Sequence, residues 1–306
     1  MAGSQEYVDD PRNARALIYL NGALVPRNEA KVSIFDAGFV LGDGVWEGLR
    51  LHQGGLVFLE QHLDRLYWGA KEIALNIGLS REEIKAALWR TLDANEMSDG
   101  VHLRLMVTRG FKKTVNQDPR NAIGVPTIVI VAEHKLPSLT LIQHGLALAT
   151  SSIRCTPAHM FDMRLNSHSR LNLIRALVEV IDQGADEALM LDPEGFVSSC
   201  NATNFFFVRD GVLCTSTGEF CFNGVTRANV IALAQESGFA LQIANFTLDD
   251  LNTAQEAFVT GTFGGITPVR SIDGQVLPAS LPGPITQQMC ALYDALKDAE
   301  ALKGCR

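Results

Sequence analysis

The residues able to hold an anion or move a proton lie far apart along this chain. Arg65 stands in His62-Leu63-Asp64-Arg65-Leu66. A guanidinium offers a planar fork of donors that meets phosphate or carboxylate two bonds at a time. The same spacing also allows a surface pair with Asp64 or Glu60. Asn223-Gly224-Val225-Thr226-Arg227-Ala228 puts a glycine at a helix start, where open N–H groups and the helix dipole favour an anion. Many helices begin this way. His168, in Asn166-Ser167-His168-Ser169, titrates near neutrality and could act as a general base, or hydrogen-bond the loop around it. Arg109, in Thr108-Arg109-Gly110, is a candidate for a carboxylate. Lys112 and Lys113 follow it and read as solvated loop charges.

Elements that must position these residues are legible as patterns. Leu17–Leu20 and Leu24-Val25 flank Asn21-Gly22, which predicts a type I′ hairpin. Leu63, Leu66, Tyr67, Ala70, Ile73 and Ala74 predict a helix carrying Arg65 on its first turns. Ser80-Arg81-Glu82-Glu83 is a capping box for the next helix. Val101, Leu103, Leu105 and Val107 alternate as a half-buried strand, and 127–131 is an all-apolar one. Leu171, Ile174, Leu177, Val178 and Ile181 give an amphipathic helix, with Gly184 as its left-handed cap. A strand at 188–191 follows. Pro193-Glu194-Gly195 then turns the chain into a strand pattern from Phe196 to Val208, broken at Ser199-Cys200-Asn201. Residues 133–140 read as a linker between a smaller and a larger domain.

A chain of 306 residues can bury a large core, and 47% hydrophobic with 20% charged residues describes an ordinary globular protein. The net charge of -8 argues against nucleic acid or an anionic membrane as the main partner. No apolar run is long enough to span a bilayer, and no signal peptide opens the chain. The six cysteines form no C-x-x-C pair, so free thiols in a reducing cytoplasm are expected, without a metal framework.

Several motifs together resemble the class IV aminotransferases, the fold-type IV pyridoxal-phosphate enzymes. Asp36-Ala37-Gly38 followed by Gly42-Asp43-Gly44-Val45-Trp46-Glu47 is similar to the family segment beside the substrate, which makes Trp46 a substrate-side residue. The H-x-D-R-L pattern matches the family arginine that reaches the cofactor phosphate, Arg65. Gly224-Val225-Thr226 and Gly261-Thr262 match its phosphate-binding elements, and Asn204 fits the turn before them. The resemblance runs from about Leu17 to Val269. It implies a mixed α/β (α+β) fold: an arm over 1–14, a smaller α/β domain over 15–135, and a larger domain with a barrel-like sheet over 136–306. It also implies a homodimer, with the ligand cleft at the domain junction.

Two family groups are replaced. Asn166 stands where the resemblance places the lysine that forms the Schiff base, and Ser199 stands where it places the glutamate facing the ring nitrogen. Branched-chain members carry a tyrosine where this chain has Leu171. An amide cannot form an imine, and a hydroxyl cannot supply the charge that keeps a pyridinium protonated. The expectation is therefore pyridoxal or pyridoxamine phosphate held non-covalently through its phosphate, or another phosphate-bearing small molecule. Standard transamination is expected to be absent or very weak. The alternatives are a working branched-chain or D-amino acid aminotransferase using a non-covalent cofactor or a displaced lysine, and a non-catalytic binding or interaction protein.

Overall fold

A computed structural model describes residues 3–304, apart from the side chain of Leu139. The chain divides into two compact units. The first comprises Asp9–Leu136, Leu165–Ser169 and the chain from Lys297; the second comprises the N-terminal residues to Val8, Pro137–Arg164 and Arg170–Leu296.

The first unit holds a six-stranded antiparallel sheet in the order β2-β1-β6-β5-β3-β4. Its strands are β1 (Leu17–Leu20), β2 (Ala23–Pro26), β3 (Gly44–His52), β4 (Gly55–Val57), β5 (Val101–Thr108) and β6 (Thr127–His134). Its helices are α1 (Ala37–Leu41), α2 (Leu59–Glu72) and α3 (Arg81–Ala94). The β1–β2 turn has positive φ at both Asn21 and Gly22, as its dipeptide predicts. Ser80 and Glu83 make the reciprocal capping box of α3. Strand alternation then sorts the sheet into two faces. Val45, Leu49, Leu51, Leu103, Leu105 and Val107 are buried with Leu63 and Leu66 of α2 and Leu88 of α3. Trp46, Arg50, His102, Arg104 and Met106 occupy the other, half-buried face.

The second unit holds a nine-stranded mixed sheet that curls into a half barrel. Its strands are β7 (Leu146–Thr150), β8 (Glu187–Leu191), β9 (Val197–Cys200), β10 (Asn204–Arg209), β11 (Val212–Thr215), β12 (Leu241–Ile243), β13 (Glu256–Gly261), β14 (Gly265–Ile272) and β15 (Gln275–Val276). Their order is β12-β11-β10-β13-β14-β7-β8-β9, with β15 on β14. The helices are α4 (Leu139–His144), α5 (Ala158–Phe161), α6 (Leu171–Ile181), α7 (Val225–Glu236), α8 (Leu248–Leu251) and α9 (Pro284–Lys303), the last of which runs on into the first unit's C-terminal residues. Strands β8 and β10 are buried along almost their whole length, which explains their unbroken apolar runs. Phe206 stacks on Phe258 of the paired strand at 5.0 Å.

Helix α6 departs from its expected orientation. The stripe of Leu171, Ile174, Val178 and Ile181 is exposed, while Ala176 and Val180 are buried, with Leu173 and Leu177 packed partly against them. The helix is apolar on two sides. The side bearing the small Ala176 lets the backbone approach β8, so the bulkier stripe turns outward. Gly184 has φ +80, the left-handed conformation its position predicts.

Candidate functional site

In the first unit the 166–169 segment docks along the start of β3. The Trp46 N–H donates to the Asn166 carbonyl (2.9 Å), and the His168 N–H donates to the Gly44 carbonyl (3.0 Å). The Trp46 indole donates to the Ser167 carbonyl (3.0 Å). Asn166 and Ser167 are both buried. Gly44 permits this approach: a Cβ there would lie 2.7 Å from His168 Cδ2 and 2.5 Å from the Val107 carbonyl oxygen. Gly44→Ala should therefore destabilise the fold by about 1–3 kcal/mol through overpacking, read as a lower urea midpoint with unchanged slope.

Arg65 does not pair with Asp64 or Glu60. Its Nε and Nη2 donate to the two oxygens of Glu47, at 2.8 and 2.7 Å. His62 Nδ1 donates to the same carboxylate at 2.7 Å. Glu47 is wholly buried; burial pushes its pKa up, but Arg65 and His62 outweigh that and hold it below the usual carboxylate value. Burial lowers His62, against the opposing pull of Glu47. Glu47 thus fixes the plane of the Arg65 guanidinium from strand β3.

Arg109 is committed to structure. Its Nε and Nη2 grip Asp43 at 2.6 and 2.9 Å, while Nη1 and Nη2 donate to the carbonyls of Ala74 and Ile73. It ties the end of α2 to the loop before β3. Lys112 is not a solvated charge: its residue exposure is 0%, and its Nζ donates to the Asp118 carbonyl at 2.8 Å.

Arg104 is the residue that sequence reasoning passed over. Its guanidinium lies over the Trp46 ring, 3.6 Å from the centroid, and makes no ion pair or hydrogen bond with any described residue. Burial lowers its pKa, and Glu47 and Glu133 act against that from a distance. Antiparallel register places it among Arg50 and His102 on the same face. Burial pushes His102 well down, helped by the charges of Lys135, Arg104 and Arg50, so the face keeps its positive charge on the two arginines and the lysine. The alternation of β5 is the signal that puts Arg104 beside Trp46.

In the second unit Asn204 organises the predicted phosphate elements. Its amide donates to the Phe222 carbonyl (2.7 Å) and to Ser199 Oγ (3.2 Å), and its oxygen accepts the Gly224 N–H (3.2 Å). A Cβ on Gly224 would collide with that oxygen, so glycine is required there. Helix α7 starts at Val225 with no side-chain cap, leaving its first N–H groups to other partners. Asn204 also pairs with Thr260 across β10 and β13, next to Gly261 and Thr262. Thr226 Oγ1 lies 3.4 Å from the Tyr293 hydroxyl, and the Tyr293 ring lies 3.4 Å from a Cβ at Gly265. Tyr293 therefore joins the α7 start to the 261–265 loop. Thr260 Oγ1, buried beside them, has no hydrogen-bond partner among the described residues.

Ser199 spends its proton on the Thr203 carbonyl at 2.7 Å and accepts from Asn204. It can only receive a further hydrogen. Burial pushes Cys155 up to about 12 and Cys290 up to about 11, so neither offers a thiolate near neutrality. Among the described residues no group of three His, Cys, Asp or Glu side chains is placed to hold a metal, and no helix is long and apolar enough to cross a membrane.

A phosphorylated pyridoxal therefore meets an uneven fit. The phosphate end suits the uncapped α7 start, Thr262 and the orphaned Thr260 hydroxyl. Asn166, at the position the resemblance gives to lysine, cannot form an imine, because the lone pair of its amide nitrogen is delocalised into its own carbonyl. No catalytic step through the group follows from these residues.

Comparison with known proteins agrees with the motifs and the fold. The chain is 40% identical over 293 residues to branched-chain-amino-acid aminotransferase-like protein 2 of Arabidopsis thaliana, covering 95% of this chain and 52% of that protein. It thus spans about half the length of that relative. It is 40% identical to a putative branched-chain-amino-acid aminotransferase of Methanocaldococcus jannaschii, covering 94% of this chain and 98% of that one. Its fold is similar to that of a T.th. branched-chain amino acid aminotransferase solved with pyridoxamine 5′-phosphate, with a TM-score of 0.85, 30% identity, and coverage of 93% of this chain and 95% of that one. The profile of the family described as Amino-transferase class IV matches residues 44–272, a span that runs from the strand gripping Arg65 through the phosphate elements, and the chain belongs to that family.

Proposed function

We propose that this chain binds a phosphate-bearing small molecule of the pyridoxal or pyridoxamine phosphate kind without covalent attachment, and that standard transamination is absent or very weak. What supports this reading is the α7 start left without a side-chain cap beside Asn204 and Gly224, and separately Asn166 at the position the resemblance gives to lysine. Lys112 is buried against the Asp118 carbonyl, which disfavours it as the amine of a displaced link. The homodimer expected from the family has a ready surface in the first unit. Ile34 on the loop before α1, Phe39 on α1 and Val125 on the loop before β6 are exposed, and exposed apolar residues of this size suit an interface.

Calorimetric titration tests this. The wild type should bind pyridoxamine 5′-phosphate reversibly. Gly224→Ala, whose Cβ would collide with the Asn204 oxygen, should weaken that binding by about 10-fold or more. No binding by the wild type would defeat the reading.

A further inference from the structure

The carboxyl group of Glu187, on β8, lies outside every role assigned above. It is wholly buried, and no described cation pairs with it. Its two oxygens are taken by hydroxyls from distant parts of the chain. Ser4 Oγ donates to Oε1, and Thr203 Oγ1 donates to Oε2 at 2.6 Å. Ser4 belongs to an N-terminal strap, fastened further along by the Ser138 N–H on the Glu6 carbonyl and by the Tyr7–Pro137 bridge. Thr203 belongs to the turn that carries Ser199 and Asn204.

Both hydroxyl-bearing residues abut the loop between β13 and β14. Thr203 Cγ2 lies 3.5 Å from a Cβ built on Gly261, and the Ser4 carbonyl oxygen lies 3.7 Å from one built on Gly264. One carboxyl group thus braces the loop at both ends. Thr262, between them, is one of the proposed phosphate contacts.

We propose that Glu187 is a positioning residue for the ligand loop, a latch that holds the Gly3–Val8 strap and the 200–204 turn against Gly261–Gly265. The proposal rests on the ligand reading above only for its effect on binding. Around the latch, Asp186 on the same strand is paired with Arg270 at 3.1 Å, β9 brings the Cys200 thiol, and β7 brings the apolar Leu148. Burial is the largest influence on Glu187 and outweighs the hydroxyl donors; with Asp186 it raises the carboxyl to about 7. The folded pKa therefore lies above the ordinary value. The contribution of the closed latch is fully present below the ordinary carboxylate range and is lost as pH rises through about 7. A charged Glu187 favours the state in which the strap has lifted and water reaches the carboxylate.

The test is hydrogen exchange of the full ligand-free chain at pH 6 and pH 8, corrected for intrinsic rates, with pyridoxamine 5′-phosphate affinity measured in parallel. In the wild type, protection of the strap and of Gly261–Gly265 should fall about 3-fold to 10-fold between pH 6 and pH 8, the scale of half to one pKa unit of coupling. Glu187→Gln, which mimics the protonated acid, should abolish that fall. It should bind the ligand more tightly than the wild type, by a margin that is larger at pH 8 than at pH 6. Ser4→Ala, which removes one hydroxyl and leaves Glu187 in place, should lower loop protection at both pH values. Loop protection that is unchanged in Ser4→Ala, or a pH response in Glu187→Gln equal to the wild type's, would overturn the latch. If exchange behaves as expected while the wild type binds no ligand, the latch stands and the ligand reading falls.

Discussion

Arg65→Ala should destabilise the protein by about 3–5 kcal/mol, because it leaves the buried carboxylate of Glu47 without its guanidinium partner and with only the His62 hydrogen bond. The pair sits in the core between β3 and α2, with Glu47 fully covered and Arg65 12% exposed, so little solvent screening reduces the effect. The pH response should change sign with the mutation. In the wild type, the depressed pKa of Glu47 contributes stability above the ordinary carboxylate range, and that stability is lost as pH falls through the folded value. In the variant, burial without the guanidinium should raise Glu47 instead. The penalty is then greatest at alkaline pH and shrinks as acid neutralises the carboxyl. The double variant Glu47→Gln with Arg65→Met should recover much of the loss, since two uncharged groups of similar size need no counter-charge. Urea midpoints at pH 5 and pH 8 check both statements. A midpoint for Arg65→Ala within about 0.5 kcal/mol of wild type would mean that the pair contributes little.

The second large effect concerns turnover. Transamination of branched-chain or D-amino acids by the wild type should lie at least about 10²–10⁴-fold below that of an enzyme with a positioned amine base, the size of the proton-transfer contribution alone. Asn166→Lys by itself should restore little. Ser199 cannot hold a ring nitrogen protonated, and its own proton is engaged on the Thr203 carbonyl. Asn166→Lys combined with Ser199→Glu is the fairer rescue, although the glutamate must displace the Asn204–Ser199 contact. Keto-acid formation by the three proteins, at matched pyridoxal phosphate, should rise only in the double variant. Equal activity in the wild type and the double variant would show that neither position limits the chemistry.

Much of this was legible in the residues because local rules governed it. The Asn21-Gly22 hairpin, the Ser80 capping box, the alternation of β5 and the left-handed Gly184 each follow from backbone geometry over a few residues. The order of the phosphate motifs pointed to the family. What stayed hidden depended on contacts across the chain. The partner of Arg65 is Glu47, 18 residues away on another element, and not its neighbour Asp64. Arg109 reads as a ligand-binding arginine until Asp43 and two helix-end carbonyls are found on it. Lys112 lies in a polar loop that folds over its own side chain, so composition misjudges its exposure. The outward face of α6 is not legible because the helix has two apolar sides and periodicity cannot rank them. Arg104 became visible only when register set it above Trp46.

The central claim is that a class IV aminotransferase fold here holds its phosphate ligand without a covalent bond. The most direct measurement is borohydride reduction of the purified protein with pyridoxal phosphate, followed by peptide mapping of every lysine. The expected result is no stoichiometric adduct at any single lysine, together with reversible ligand binding that survives dialysis and re-addition. A stoichiometric reduced adduct on one lysine, Lys112 or Lys113 included, accompanied by keto-acid turnover, would contradict it.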